Sequence, residues 1–199
     1  MGKGLASRWI KAGHDVLIGS RDLPKAQEIA VQLGLESSSG MLNIDAAKIC
    51  ELACLTVPFA HQESTLISID DGLQNKIMID ATVPLMPPKV MRVQLPEIGS
   101  AALNAQSILG EKTTVVSAFQ NISAELLQTD AEIDCDVLVA GDFLDARNTV
   151  IELAADAGLT GWHAGPLCNS VAAEALTSIL IAINKKHSLA HSGIKITGH

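Results

Sequence analysis

The chain contains no tyrosine, and aromatic residues make up only 3% of its 199 positions. That scarcity argues against base-stacking platforms and aromatic sugar clamps. Positive charge is also in short supply. Fourteen Lys and Arg face 22 Asp and Glu, a formal net charge of −8, which argues against a nucleic-acid footprint. Four cysteines with no secretory context do not make a disulfide framework. Cys50 and Cys54 read as core residues, and no second pair completes a zinc pattern. The start, Met1 to Trp9, has no apolar stretch of the kind a signal peptide carries. No uninterrupted apolar run approaches the ~18 residues of a membrane span, and the longest, Ala175 to Ile183, is broken by Thr177 and Ser178. A cytoplasmic protein without membrane or nucleic-acid partners is the expectation.

What the chain does have is an apolar share of 48%, enough for a full hydrophobic core. Short apolar runs end in Gly, Pro or polar residues and alternate with helical patterns. Strands are expected at 15–18, 52–57, 76–81, 113–119 and 136–140. Helices are expected at 3–12, 22–33, 44–50, 59–69, 100–109, 142–157 and 167–187. Asp22, Asn43 and Asn169 or Ser170 are cap candidates. Pro84 to Pro96 holds four of the seven prolines and reads as a loop crossing the top of the sheet. This rhythm predicts an α/β fold with a doubly wound parallel sheet.

In such folds the second strand ends beside the adenosine ribose of a bound dinucleotide. An acidic residue there suits NAD, and an Arg accommodates a 2′-phosphate. Here that strand ends Gly19-Ser20-Arg21, with Lys25 one helical turn further on. A guanidinium, an ammonium and a hydroxyl together suit a phosphate; a capped helix with solvated basic side chains is the plainer account. Gly2 takes the place of the last glycine of a dinucleotide fingerprint, the one that lets helix and strand pack closely. Thr56-Val57-Pro58 ends a second strand, and His61 follows in the next turn, within reach of a nicotinamide or phosphate or simply structural. His187 and His191 share helical spacing, but Gly193 follows and no third metal ligand is evident. There is no nucleophile elbow, P-loop or paired-carboxylate motif.

Three stretches together resemble the NADP-dependent oxidoreductases of the deazaflavin coenzyme F420. They are Gly2-Lys3-Gly4-Leu5-Ala6 through Gly19-Ser20-Arg21 to Lys25; Gly40-Met41, Asp45-Ala46-Ala47, Leu55-Thr56-Val57-Pro58 and His61; and Ala164-Gly165-Pro166-Leu167, Asn169-Ser170, Glu174, Leu176-Thr177 and Gly193-Ile194-Lys195. The resemblance implies a Rossmann-like NADP-binding domain over residues 1–119 and a small C-terminal helical portion over 120–199 for the deazaflavin and for homodimerisation. It places NADP on Gly2, Ser20, Arg21, Lys25, Val57, Pro58, His61 and Val83, and the deazaflavin on Ile122, Ala124, Asn169 and Thr177. A hydride then passes directly between two bound rings, so no catalytic side chain and no metal is expected, and small residues such as Ala118 and Ala124 suit the ring stack.

Two departures from the family pattern stand out. The family begins with a strand and a Gly-rich turn ahead of Gly2, about ten residues in a standard fingerprint. Without them the strands near Val16 and Leu52 either face each other across a gap or close up, and the diphosphate loses backbone N–H donors. The family also often carries His-Thr where this chain has Gln120-Asn121. That favours an alternative NADP-dependent reductase acting on a flavin, ferric chelate or imine. A non-catalytic fragment is the third reading.

Overall fold

The computed structural model describes residues 1–198. Seven helices and seven strands run along them: α1 (Gly2–Ala12), β1 (Ile18–Ser20), α2 (Leu23–Gln32), β2 (Gly40–Leu42), α3 (Asn43–Ile49), β3 (Leu52–Leu55), α4 (Gln62–Leu73), β4 (Ile77–Asp80), α5 (Ala101–Leu109), β5 (Thr114–Ser117), β6 (Asp136–Ala140), α6 (Leu144–Asp156), β7 (Thr160–Gly165) and α7 (Ser170–His187). Short 3₁₀ turns at Ser37–Ser39, Phe59–His61, Leu126–Gln128 and Leu167–Asn169 join them.

The central strands are apolar because both their faces are covered. Successive residues of β4 and β5 point to opposite sides. Ile79 and Val116 join a core shared with α1 and α6, whereas Met78 and Val115 join a second core shared with α3, α4 and α5. This is the expected doubly wound arrangement. The strands nevertheless form two sheets. β1 and β2 make a parallel pair, and the other strands follow in the order β3-β4-β5-β6-β7. Neighbours in the larger sheet are parallel except β6, which meets β5 antiparallel through Ser117 and Ala140. β1 and β3 do not pair, so of the two arrangements expected for the Val16 and Leu52 strands the gap is the one adopted. Val16, Leu52, Cys54 and Met1 all pack against the first core beneath it. The 119/120 division falls between β5 and β6 of one sheet.

Local rules account for most boundaries. The Asp22 carboxylate accepts from the Lys25 N–H at 3.2 Å and caps α2; the Ser100 hydroxyl accepts from the Leu103 N–H at 3.0 Å and caps α5. Other expectations fail for identifiable reasons. The first strand lies at Ile18–Ser20, because its ladder partner is β2, in register from Ile18 with Gly40. β2 spans three residues, too few to show a period, and β7 (Thr-Gly-Trp-His-Ala-Gly) is largely exposed at the sheet edge and lacks an apolar run. Asp142 does not start α6; its carboxylate accepts from the Leu167 N–H at 2.9 Å. Asn43 and Asn169 make no side-chain cap, and α7 begins at Ser170 after a 3₁₀ turn. By length and composition alone, Leu167–His187 could cross a bilayer, with mean hydropathy 1.4. One face of it is committed to the protein interior through Ala173, Glu174, Ser178 and Leu180.

α1 is fastened by two side chains. The Trp9 indole N–H donates to Leu153 O at 2.8 Å, and its ring meets Phe119 edge-on, centroids 6.0 Å apart. Arg8 spreads its guanidinium over backbone carbonyls, among them Ala157 at 3.0 Å, Thr129 at 3.0 Å and Ala131 at 2.8 Å. It thereby ties α1 to the end of α6 and to the 126–131 loop. Arg8→Met keeps the aliphatic stem but strands these carbonyls. The expected loss is about 2 kcal/mol, read as a lower urea midpoint at unchanged m value.

Candidate functional site

In an open α/β sheet, ligands settle where the carboxyl ends of the strands leave a crevice. Here that edge carries a cavity of about 180 Å3 in the gap between the two sheets. β1 contributes Gly19 and Ser20, with Arg21 directly after it; the start of α3 contributes Asn43, the stretch after β3 contributes Val57, Pro58 and His61, and α4 contributes Thr65. No acidic residue lines it. Arg21 is exposed and makes none of the hydrogen bonds or salt bridges found among the described residues. Ser20 Oγ accepts from the Asp22 N–H at 3.1 Å, leaving the hydroxyl hydrogen free to donate. The His61 carbonyl is held by Thr65 Oγ1 at 2.6 Å.

Gly2 sits so close to Thr56 that an added Cβ would lie 2.5 Å from its Oγ1. The glycine therefore brings the first turn of α1 against the end of β3, and the positive end of that helix points to the same crevice. Thus Ser20, Arg21, Val57, Pro58 and His61 meet in one cavity, whereas Gly2 packs against Thr56 and does not line it. Lys25 is exposed in the first turn of α2 and Val83 is half-buried beyond β4; neither lines the cavity. Asn43 and Thr65 were not legible as site residues. Asn43 follows a strand too short to recognise, and it packs against Gly19 instead of capping its helix.

A second, larger groove of about 420 Å3 runs between the Gln120–Glu125 segment, α7 and the turn at Ala190–Ser192. Ile122, Ala124 and Thr177 line it. Asn169 does not: its amide donates to Ala164 O at 2.6 Å and packs against Gly165. Ala118 is fully buried in the first core, whereas Ala124 reaches the groove. Leu180, Ile181, Asn184, His191 and Ser192 complete the groove; the apolar spacing of α7 marked its core face without distinguishing this exposed one.

Between cavity and groove lies a buried polar network. Asp80, fully buried at the end of β4, accepts from Gln62 Nε2 at 2.6 Å and from the Thr82 N–H at 2.8 Å. Gln120 Nε2 donates to Asp80 O and to Ser117 Oγ, both at 2.8 Å. Asn121 Nδ2 donates to Ala173 O at 2.8 Å and to Thr177 Oγ1 at 3.1 Å, and that hydroxyl donates to Gln120 O at 2.9 Å. The two residues that depart from the family pattern are therefore braces, tying β5 to β4 and to α7. Glu174 crosses from α7 to accept from the Ala101 N–H at 2.6 Å and the Ala102 N–H at 3.1 Å, closing the N-terminus of α5. Desolvation pushes its carboxyl up to about 7 against the lowering effect of those N–H groups, and the nearby Asp80 pushes the same way. Burial likewise raises Asp80, opposed by its bonds to Thr82 and Gln62. Cys54, half-buried in β3, has its thiol pushed up to about 12 by desolvation, far from a reactive thiolate. Neither buried carboxyl lines the cavity or the groove. Among the described residues no cluster of three or more metal-ligating side chains occurs.

Comparison with known proteins fits this arrangement. The family model described as NADP oxidoreductase, coenzyme F420-dependent, matches residues 1–84. An F420-dependent NADP reductase of Methanothermobacter thermautotrophicus is 41% identical over 210 aligned residues, covering 98% of this chain and 90% of that protein. The enzyme of the same name from Methanocaldococcus jannaschii is 37% identical, covering 98% and 93%. A solved structure from an Arthrobacter species, a candidate F420-dependent NADP reductase, superposes with a TM-score of 0.83 at 21% identity over 99% of this chain and 94% of that one. The chain belongs to the family of coenzyme F420-dependent NADP oxidoreductases.

The raised value of Glu174 has a consequence for stability. At low pH the carboxyl is neutral folded and unfolded. As pH rises from its ordinary 4.5 toward about 7, the unfolded chain ionises first and stability falls, by about 3 kcal/mol in all. Glu174→Gln, a shape match for the neutral acid, should remove most of this decline in a series of thermal melts from pH 4.5 to 7.5.

Proposed function

We propose that this chain moves a hydride between NADP(H) and coenzyme F420, with the nucleotide in the cavity between the sheets and the deazaflavin in the groove beside α7. The observation that carries this reading is the acid-free cavity at the end of β1, where Ser20 and Arg21 meet Val57, Pro58 and His61. A carboxylate at this place would favour the plain ribose of NAD, and a guanidinium with a hydroxyl favours the 2′-phosphate of NADP. Lys25, exposed one turn along, adds charge to the same phosphate. Val57, Pro58, His61 and Val83 follow the nucleotide toward its ring, and Gly2 brings the start of α1 to the diphosphate. Ile122, Ala124 and Thr177 hold the deazaflavin.

NADP and coenzyme F420 supply the redox chemistry, a hydride exchanged between two rings with a proton balanced by solvent. The chain's own residues hold the rings at contact and exclude water, the kind of positioning that contributes several kcal/mol. The absence of an acid from the cavity lining supports this division of labour, in which Glu125 and His191 of the groove take no chemical step. Residues 1–119 then serve the nucleotide, and residues 120–199 serve the acceptor and a homodimer interface. Exposed Ile179 and Ile183 on α7 support that interface. A cytoplasmic enzyme without a membrane partner belongs to the same proposal, and the net charge of −8 supports one without nucleic-acid partners.

A different acceptor drew its support from Gln120-Asn121. Both amide nitrogens donate to internal partners, but Gln120 Oε1 is buried without a partner and both residues stand on the groove lining, so the departure acts on the scaffold and on the groove wall, and the coenzyme assay decides between acceptors.

Mixing reduced coenzyme F420 with NADP and the protein should restore deazaflavin absorbance in step with NADPH formation; no coupled change would refute the assignment. In the same assay Arg21→Asp should raise the KM for NADP about 10- to 100-fold, the worth of charge-assisted hydrogen bonds. The KM for NAD should stay the same or fall, and an equal loss for both nucleotides would remove Arg21 from the phosphate site.

A further inference from the structure

The groove beside α7 has two chemically different parts. Ile122, Leu180 and Ile181 give it an apolar surface; Ser123, Asn184 and His191 give it a polar end. That end is built at a conformational cost. His191 has φ of 60° and Ser188 φ of 52°, the left-handed region that side chains other than glycine seldom enter. Asn184 holds the turn between them: its carbonyl accepts from the Leu189 N–H at 3.0 Å and its Oδ1 from the Ser192 N–H at 3.2 Å. The turn delivers the imidazole to the opposite wall, with Nδ1 2.9 Å from Ser123 Oγ. The other ring nitrogen lies 3.6 Å from a Glu125 carboxylate oxygen, on a side chain that is 83% exposed.

The sequence from Ala175 onward reverses the chain's acidic average, and Glu125 is the one carboxylate lining the groove. No Asp or Glu follows Glu174, and Lys185, Lys186 and His187 come directly after Asn184. A helix C-terminus favours these three through its dipole. That dipole accounts neither for the acid-free stretch beyond the helix nor for a strained turn that carries a histidine into a groove.

We infer that the polar end is a subsite for an anionic arm, phosphate or carboxylate, attached to the ring that lies on the apolar surface. The inference rests on the placement of the deazaflavin in this groove. The His191 imidazole and the Ser123 hydroxyl donate to the anion, Lys185 and Lys186 add a favourable field, and Glu125 swings aside into solvent as the anion replaces it. His191 and Glu125 thus set a preference for acceptors that carry a charged arm over acceptors that are only a ring.

Calorimetric titration of the intact protein with coenzyme F420, and with a deazaflavin riboside lacking the anionic arm, tests this. His191→Gln should weaken the coenzyme about 10-fold or more. Lys185→Glu with Lys186→Glu should weaken it most at low salt. Glu125→Gln should tighten it, a gain that misfolding cannot imitate. The riboside should bind all variants alike. Coenzyme affinity unchanged in every variant, or riboside affinity moving in parallel, would overturn the subsite. The His191 imidazole resonances, followed by NMR with inorganic phosphate, separate the two readings. If the coenzyme does not bind but phosphate shifts His191, the subsite stands and the deazaflavin placement falls. If phosphate leaves His191 unmoved as well, the subsite is overturned.

Discussion

A buried carboxyl group must find its hydrogen bonds inside the protein. At the end of β4 that requirement organises everything around it. Asp80 draws in Gln62 from α4 and the Thr82 backbone. Gln62 Nε2 in turn donates to Ala101 O at 2.9 Å, and its carbonyl accepts from Asn104 Nδ2 at 3.1 Å, so α5 is tied in as well. Gln120 and Asn121 carry the chain of bonds to β5 and α7, and Glu174 returns it from α7 to α5. Five elements are thereby fixed at the edge of the sheet where the cavity and the groove open. Hydride transfer between two bound rings depends on separation and angle more than on any acid or base, and this network, through Gln120, Asn121 and Thr177, fixes part of the groove wall.

The divided sheet is the second determinant of the site. Because β1 and β3 stay apart, the cavity lies between a small parallel pair and the main sheet. Gly2 narrows the gap at the strand ends by bringing α1 against Thr56, and Arg8 and Trp9 anchor the far side of the same helix to α6. The strand ends beside the cavity are thus held by long-range contacts of α1 as much as by the sheet.

Much of this was legible in the sequence, and the reasons differ by element. The central strands announced themselves because two-faced burial demands uninterrupted apolar runs, as in Ile77–Asp80. Asp22 and Ser100 marked helix starts because a cap needs one specific oxygen at one position. Ser20 and Arg21 could be read as phosphate ligands because they end a strand where an acid is otherwise expected. β2 and β7 were hidden, one by its length of three residues and the other by its exposed, polar edge. Asn43, Thr65 and His191 were illegible as site residues, since only the fold brings them to a cavity wall. Gln120 and Asn121 looked like a change of substrate contact; their roles as braces follow from burial and from partners more than 35 residues away in sequence.

Direct transfer between two rings held by this scaffold is tested most directly by isotope. NADPH carrying deuterium at the reactive position of its nicotinamide should pass one deuterium per turnover to the deazaflavin, and in heavy water unlabelled NADPH should pass only protium. Deuterium at that carbon derived from solvent would contradict direct transfer, and would require a proton donor among the lining side chains, such as His61 of the cavity or His191 of the groove.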